Sequence, residues 1–482
     1  MTRLRFSLFV ALAALSFGAP HAQAQRSLSP DAGAFVEVDD DVVALVGVRV
    51  IDGTGGPAQE GRTVLLRGNR IDAVGPVASV TVPPGARVLD LAGHTVLPGY
   101  VMLHEHMFYP TGTGGDTYNN MEFSFPKLYL AGGVTTIRTT GGRDPYGDIN
   151  LREDIEAGRA VGPRIDVTGP YLTGPGYRAR FLHHLKDAEE ARAMVRYWAD
   201  VGVTSFKAYQ HITRAELAAA NEEAHARGIK VTGHICSVTF REAAELGIDN
   251  LEHGFRPATD FVDGKQPDQC PSGAMRAQSR RPEVEPDDPD FLALVQFLVD
   301  RGVAITSTLV GAEMSIPGRP PLPESTLDVM AGPIQEYYLR NWAAFQQNEG
   351  TTRLDNLKRE MARQMAFVEA GGLLVTGTDP GTRYGNIVPG YSNVRQVEML
   401  HEAGFTPEQA IQIATLNGAI YLGKESDLGT VAQGKLADLI LVEGDPRTDM
   451  SVLRSPRLVF KDGIGYDPVR LYEAVRGLVG FH

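Results

Sequence analysis

Residues 226–235 read ARGIKVTGHI. Gly228 stops a helix, a short apolar run follows as a strand, and a polar residue, His234, closes it; glycine suits the helix end because it takes the left-handed conformation without a Cβ clash. The same grammar recurs in AGGVTTIR at 131–138, VGVTSFKAY at 201–209, LGIDNLEHG at 246–254, RGVAITSTL at 301–309 and AGGLLVTGTD at 370–379. PGYVMLHEH at 98–106 precedes them and PRIDVTGPY at 163–171 lies among them, so eight strands alternate with helical stretches between Gly99 and about Gly423. Alternating strands and helices imply a parallel sheet. Eight such units imply an α/β fold closed as a (β/α)8 barrel, with its active site at the carboxyl ends of the strands. A doubly wound open sheet would use the same local grammar, but no glycine-rich phosphate fingerprint follows an early strand to support it.

The flanks read differently. VALVGVRVIDG, RTVLLRGNRIDAVG and ARVLDLAGHTVLPG on one side, and GTVAQGKLADLILVEGDP and PRLVFKDGIG on the other, are short strands joined by Gly, Pro and Asn turns. Two β-rich ends around a different middle predict a small β-sandwich built from both termini. Its parts are residues 25–98, opening with a loose leader over 25–40, and 426–482, on either side of a barrel over 99–425. Residues 1–24 carry a basic start at Arg3 and Arg5, an apolar stretch from Phe6 to Ala19 and the small-residue site Ala22-Gln23-Ala24. That is the pattern of a cleavable secretory signal. Its apolar stretch is short of the roughly 20 residues a membrane span needs. Export to the periplasm is expected, with cleavage near Ala24 and no stable insertion in the membrane.

The formal net charge is −13, and loss of Arg3 and Arg5 with the signal takes it to about −15. Such a balance disfavours nucleic acid as a partner. The two cysteines, Cys236 and Cys270, exclude a disulfide framework; they allow a single bridge, which the pattern does not indicate. Two insertions, 255–290 and 310–350, follow strand ends and belong over the barrel mouth as lids or specificity elements. An oligomer contact or a solvated loop is the other reading, and a homo-oligomer is compatible with it. TPEQAIQIATLNGAIYLG reads as one last helix, with Thr406 as N-cap and Gln409 closing a capping box.

The chemistry stands at the strand ends. The first strand closes with His104 and His106, the fourth with Lys207, the fifth with His234, the sixth with His253 and the eighth with Asp379. On a strand, residues two apart share a face, so His104 and His106 reach one metal ion together while Glu105 points away. A helical zincin motif needs histidines four apart, and here they are two apart.

On these residues the chain resembles the amidohydrolase superfamily, in the subtype with two metal ions and a carboxylated lysine. More narrowly it resembles the imidazolonepropionase-like and Xaa-Pro dipeptidase-like members. The resemblance runs through LPGYVMLHEH, GVTTIR, SFKAY, VTGHI, NLEHG, TGTDPG, the TPEQAIQIATLNGAIYLG helix and GKLADLILVEGDP, nearly the whole chain after the leader. It implies that His104, His106 and Asp379 bind one divalent ion and that His234 and His253 bind a second. Lys207, carboxylated by carbon dioxide, would bridge them. Zinc suits imidazole and carboxylate ligands. The implied reaction is hydrolysis of an amide by a metal-bridging hydroxide, with Asp379 taking the proton and passing it to the leaving amine. Tyr209, on the face of Lys207, either hydrogen-bonds the substrate oxyanion or packs the barrel. Many relatives have Asp two residues before the first histidine; this chain has Met102.

Weaker candidates surround that set. Arg138, closing the second strand, either pairs a substrate carboxylate or makes a structural ion pair. His183 and His184, in a loop with Arg178 and Arg180, either contact substrate or are simply solvated, the commoner state of loop histidines, and His211, two residues after Tyr209, is a candidate for the mouth. Cys236 reads as a small buried residue rather than a ligand. The substrate is expected to be a small amide, either a dipeptide of Xaa-Pro type or an N-acyl amino acid. A lactone, ester or cyclic-amide hydrolase of imidazolonepropionase type is the second reading, and a non-catalytic ligand-binding barrel the third.

Overall fold

The protein is described by a computed structural model covering residues 28–111, 117–176, 182–273, 275, 284–348, 352–382 and 384–481. The expected signal at 1–24 lies outside the described residues, as do Arg178 and Arg180.

The eight strands form where the repeated phrases lie. They are β1 (Tyr100–Glu105), β2 (Val134–Thr139), β3 (Arg164–Asp166 and Thr168–Leu172, interrupted at Val167), β4 (Ser205–Gln210), β5 (Lys230–Ile235), β6 (Asn250–Glu252), β7 (Ala304–Ser307) and β8 (Leu374–Thr376). Each pairs in parallel with the next, with Tyr100 beside Val134, Ile137 beside Ile165, Tyr171 beside Lys207, Tyr209 beside His234, Leu251 beside Ile305 and Thr306 beside Val375. The circle closes through backbone: the amides of Thr378 and Asp379, just past β8, donate to the carbonyl of His104 at 3.0 and 2.9 Å. Gly377 permits this approach, since a Cβ there would lie 2.4 Å from the His104 nitrogen. β1 and β2 are buried along their whole length, as strands covered on both faces must be.

The helices between strands are set by local chemistry. Capping boxes start three of them, at Thr213 with Glu216, Thr239 with Glu242 and Thr406 with Gln409. The last predicted helix is two, Pro407–Ala414 and Leu416–Leu422, broken at Thr415 with φ −130° and ψ −81°. The Thr415 hydroxyl donates to the Ile411 carbonyl at 2.7 Å, a side-chain bond that competes with the helix ladder.

Strands from both chain ends build one nine-stranded sheet. Its joining pair is His94–Pro98 with Leu439–Glu443, antiparallel, with Leu97 opposite Ile440. Alternation sorts the side chains: Leu439 and Leu441 enter the small domain's own core, while Ile440 and Val442 pack into the barrel core. The leader is more ordered than expected. Pro30–Gly33 is a helical turn capped by Ser29, and Val36–Val38 adds a strand against Ile464–Tyr466.

The insertions are held down by specific bonds. In the second, Gly332–Gln346 is a helix. The buried Tyr338 hydroxyl accepts from the Leu322 amide at 2.9 Å, and Trp342 Nε1 donates to the Arg319 carbonyl at 3.2 Å. In the first, the cysteines correct the sequence reading. Cys236 and Cys270 are disulfide-bonded with Cα atoms 5.0 Å apart, so the bridge pins the insertion two residues beyond His234. Spacing could not reveal this, because the pairing is made by the insertion folding back on β5. No described helix is long and apolar enough to cross a membrane.

Candidate metal centre

His104 and His106 are almost completely buried, at 0% and 2% exposure. Glu105 points the other way, as the alternation requires, and its carboxylate works there. It accepts from the Thr378 hydroxyl at 2.6 Å, the Thr378 amide at 3.0 Å and Asn393 Nδ2 at 3.0 Å. Those bonds fix the backbone from which Asp379 projects. Asp379 has φ 61° and His253 φ 67°, two of only four non-glycine residues at positive φ among the described residues. Such conformations cost on the order of 1–3 kcal/mol each and gather at functional sites. Here each turns a candidate ligand at the end of its strand.

The side chains converge. His106 Nε2 lies 3.2 Å and His104 Nε2 3.8 Å from Asp379 Oδ1. Lys207 Nζ is 3.2 Å from His104 Nε2. The His253 ring lies tilted against that of His104 with centroids 4.5 Å apart, and the His234 and His253 ring centroids are 4.4 Å apart. Among the described residues, His104, His106 and Asp379 form a group whose ligand atoms all lie within 4.8 Å of one another. His234, His253 and Lys207 stand beside that group rather than within it.

Burial sets the charge states. It pushes His106 down to about 4 and His234 to about 3, and lowers His104 and His253 as well, with the Lys207 ammonium acting in the same sense on all four. All four imidazoles are therefore neutral at pH 7 and carry free lone pairs. Burial also pushes Lys207 down to about 8, against the pull of Glu252 and Asp379, which brings its neutral amine within reach of ordinary pH. Burial opposes charge on Asp379, yet His106 and the imidazoles around it hold its carboxyl well below the usual range. Its side chain keeps 27% exposure, so it faces the mouth. This donor set fits divalent metal ions. His106 Nδ1 is a buried nitrogen without a hydrogen-bond partner, and Glu252 on His104 Nδ1 leaves Nε2 for a cation.

Glu252 is the residue that sequence reasoning missed. Fully buried, it accepts from His104 Nδ1 at 2.6 Å, from Arg138 at 2.8 Å and from the Thr232 hydroxyl. Asn250, two residues earlier on the same face, accepts from Arg138 at 3.2 Å, Thr232 at 2.6 Å and Thr306 at 2.9 Å. Two polar residues at inward positions of a buried strand, with Leu251 between them, were the signal. Met102, two residues before His104, is fully buried in the apolar core. Arg138 belongs to this layer. Its guanidinium is wholly buried, gives Nε to the Leu103 carbonyl at 2.9 Å, and takes the structural rather than the substrate role.

A cavity of about 370 Å³ opens over the centre, lined by His106, Lys207, Tyr209, His234, His253 and Asp379 among others. Tyr209 stands in its wall, with its ring 4.8 Å from Tyr171 and 5.3 Å from His234. The weaker candidates stay off that wall. His183 is exposed and pairs with Glu190 at 3.0 Å, His184 bridges to Thr173 through backbone, and the His211 ring backs onto Gly176.

The amidohydrolase family pattern matches residues 95–259 and 351–464, more than half of the chain. The chain belongs to the amidohydrolase family. An uncharacterized protein of Mycobacterium tuberculosis is 25% identical over 412 residues, covering 82% of this chain and 90% of its own. The imidazolonepropionase of Symbiobacterium thermophilum is 23% identical over 401 residues, covering 79% and 84%. A solved Xaa-Pro dipeptidase with bound methionine shares the fold at TM-score 0.66 and 20% identity, covering 88% of this chain and all of its own. As an amidohydrolase, the protein is a hydrolase acting on carbon–nitrogen bonds.

Proposed function

We propose that this amidohydrolase is an exported, binuclear metal hydrolase that cleaves an amide bond in a dipeptide of Xaa-Pro type or an N-acyl amino acid. The observation that carries the reading is the convergence of four neutral imidazoles, Asp379 and a low-pKa lysine at one end of the barrel. His104, His106 and Asp379 would hold one divalent ion, zinc being the best match to the donors. His234 and His253 would hold the second, and Lys207 would bridge the two after carboxylation, a reaction its depressed amine supports. Such ions supply a water activated at neutral pH and polarise the scissile carbonyl.

The chain's own residues do the rest. Asp379, ionised and open to the cavity, accepts a proton at a carboxylate oxygen and returns it to the departing amine. The Tyr209 hydroxyl, on the cavity wall, donates a hydrogen bond to the charge that develops on the carbonyl oxygen. Glu252 holds the His104 ring in one tautomer, and Glu105 holds the turn that presents Asp379. The Cys236–Cys270 bridge supports an oxidising compartment, in line with the leader. A screen of dipeptides and N-acyl amino acids with the metal-loaded protein tests the reading. Turnover confined to one such class is expected; turnover of lactones or esters with none of amides would overturn it.

A further inference from the structure

One cation in the cavity wall is not used by any of this chemistry. Arg143 follows β2 on the segment Gly141-Gly142-Arg143 and lines the same cavity as Asp379 and Lys207. The segment is tied to the barrel rim, with the Thr140 amide donating to the Glu105 carbonyl at 2.8 Å and the Gly142 amide to the Gly169 carbonyl at 3.0 Å. The guanidinium packs in the corner between two perpendicular rings, its central carbon 3.8 Å from the Tyr118 ring and 4.7 Å from the Phe108 ring. Phe108 in turn stacks on His106, with centroids 4.4 Å apart. Phe108 therefore touches both the candidate metal ligand and the guanidinium.

Among the described residues Arg143 has no ion-pair partner. Its Nε is buried without a hydrogen bond, and no carboxylate among the described residues pairs with it. The neighbouring Asp144 is committed to the Gly147 amide and Asn120, both at 3.1 Å. Three arginines of the adjoining cavity differ in this respect. Arg359 pairs with Glu285 at 2.9 Å, Arg353 donates to the Ser315 carbonyl at 3.0 Å and Arg363 to the Val284 carbonyl at 3.0 Å. A guanidinium held by aromatic contacts instead of a carboxylate keeps its hydrogen-bonding groups for a ligand, and its planar fork matches a carboxylate in bidentate fashion.

We propose that Arg143 binds the free carboxylate beside the scissile amide, which makes this enzyme selective for anionic N-acyl amino acids or dipeptides over their neutral amides. The inference rests on the hydrolase reading above. It is tested by kcat/KM for a matched pair, such as N-acetylproline or an Xaa-Pro dipeptide and the corresponding C-terminal amide, in the wild type, Arg143→Lys and Arg143→Met, each verified for metal content and fold. The wild type is expected to prefer the acid by roughly 10- to 100-fold, the size of a charge-assisted hydrogen bond. Arg143→Met should lose that preference through KM for the acid, and Arg143→Lys should keep part of it. An unchanged acid-to-amide ratio in Arg143→Met overturns the assignment. If the wild type cleaves neither compound, the hydrolase reading is what fails for this class. The thermal shift produced by N-acetylproline against N-acetylprolinamide then still reads the anion site, and equal shifts in wild type and Arg143→Met overturn it.

Discussion

Glu252→Gln separates the two duties of the buried carboxylate. Glu252 is fully buried and neutralises Arg138 at 2.8 Å while holding His104 Nδ1 at 2.6 Å. Burial opposes its charge, but His104, Arg138 and Lys207 hold its carboxyl far below the carboxylate range, so the wild type carries the charge at every working pH. A glutamine keeps the shape and an acceptor oxygen for His104 but leaves the Arg138 guanidinium uncompensated in the barrel. Removing one partner of a buried pair costs about 3–5 kcal/mol. Because the glutamine retains some hydrogen bonds, the lower end, about 3 kcal/mol, is expected from denaturant unfolding of the metal-free protein. Metal affinity should fall by roughly 10- to 100-fold, the usual cost of disturbing the carboxylate behind a ligating imidazole, read by chelator competition. Arg138→Met combined with Glu252→Gln should recover most of the stability and none of the affinity. Wild-type stability and affinity in Glu252→Gln, or joint recovery of both in the double variant, would refute the division of labour.

Three further outcomes follow from the same geometry. Asp379→Asn should abolish turnover while the protein keeps bound metal, and normal activity in that variant would sink the proton-transfer role. As pH falls through 6.5 the unfolded chain takes up a proton at each buried histidine that the folded state refuses; for His106, pushed down to about 4, the metal-free protein loses about 3 kcal/mol across that window. His106→Asn should flatten the stability profile between pH 6.5 and 4 by one proton, and an unaltered slope would contradict the neutral imidazole. Reduction of the Cys236–Cys270 bridge, which spans a sequence separation of 34, should lower stability by about 2–4 kcal/mol; two titratable thiols in the native, unreduced protein would show that the bridge does not form.

The barrel was legible because each strand repeats a glycine stop and a polar end, and the six ligand candidates because five of those ends carry chemistry. Periodicity also placed Glu105 opposite His104 and His106. What escaped the sequence was what depends on contacts between distant strands. Glu252 and Arg138 meet across the barrel interior, and neither has a neighbour in the chain that announces the pairing. The helix break at Thr415 comes from one hydroxyl turning to the Ile411 carbonyl. The disulfide arises because the insertion after β6 returns to the end of β5. Arg143 lay outside every motif, and only the packing of Phe108 and Tyr118 around it marks it out.

Metal content per chain tests the central claim most directly. Protein purified from metal-supplemented medium should carry close to two equivalents of a divalent transition metal, zinc foremost, and Lys207→Ala should carry no more than one. Less than one equivalent in the wild type, or full occupancy in Lys207→Ala, would contradict a binuclear centre bridged by that lysine.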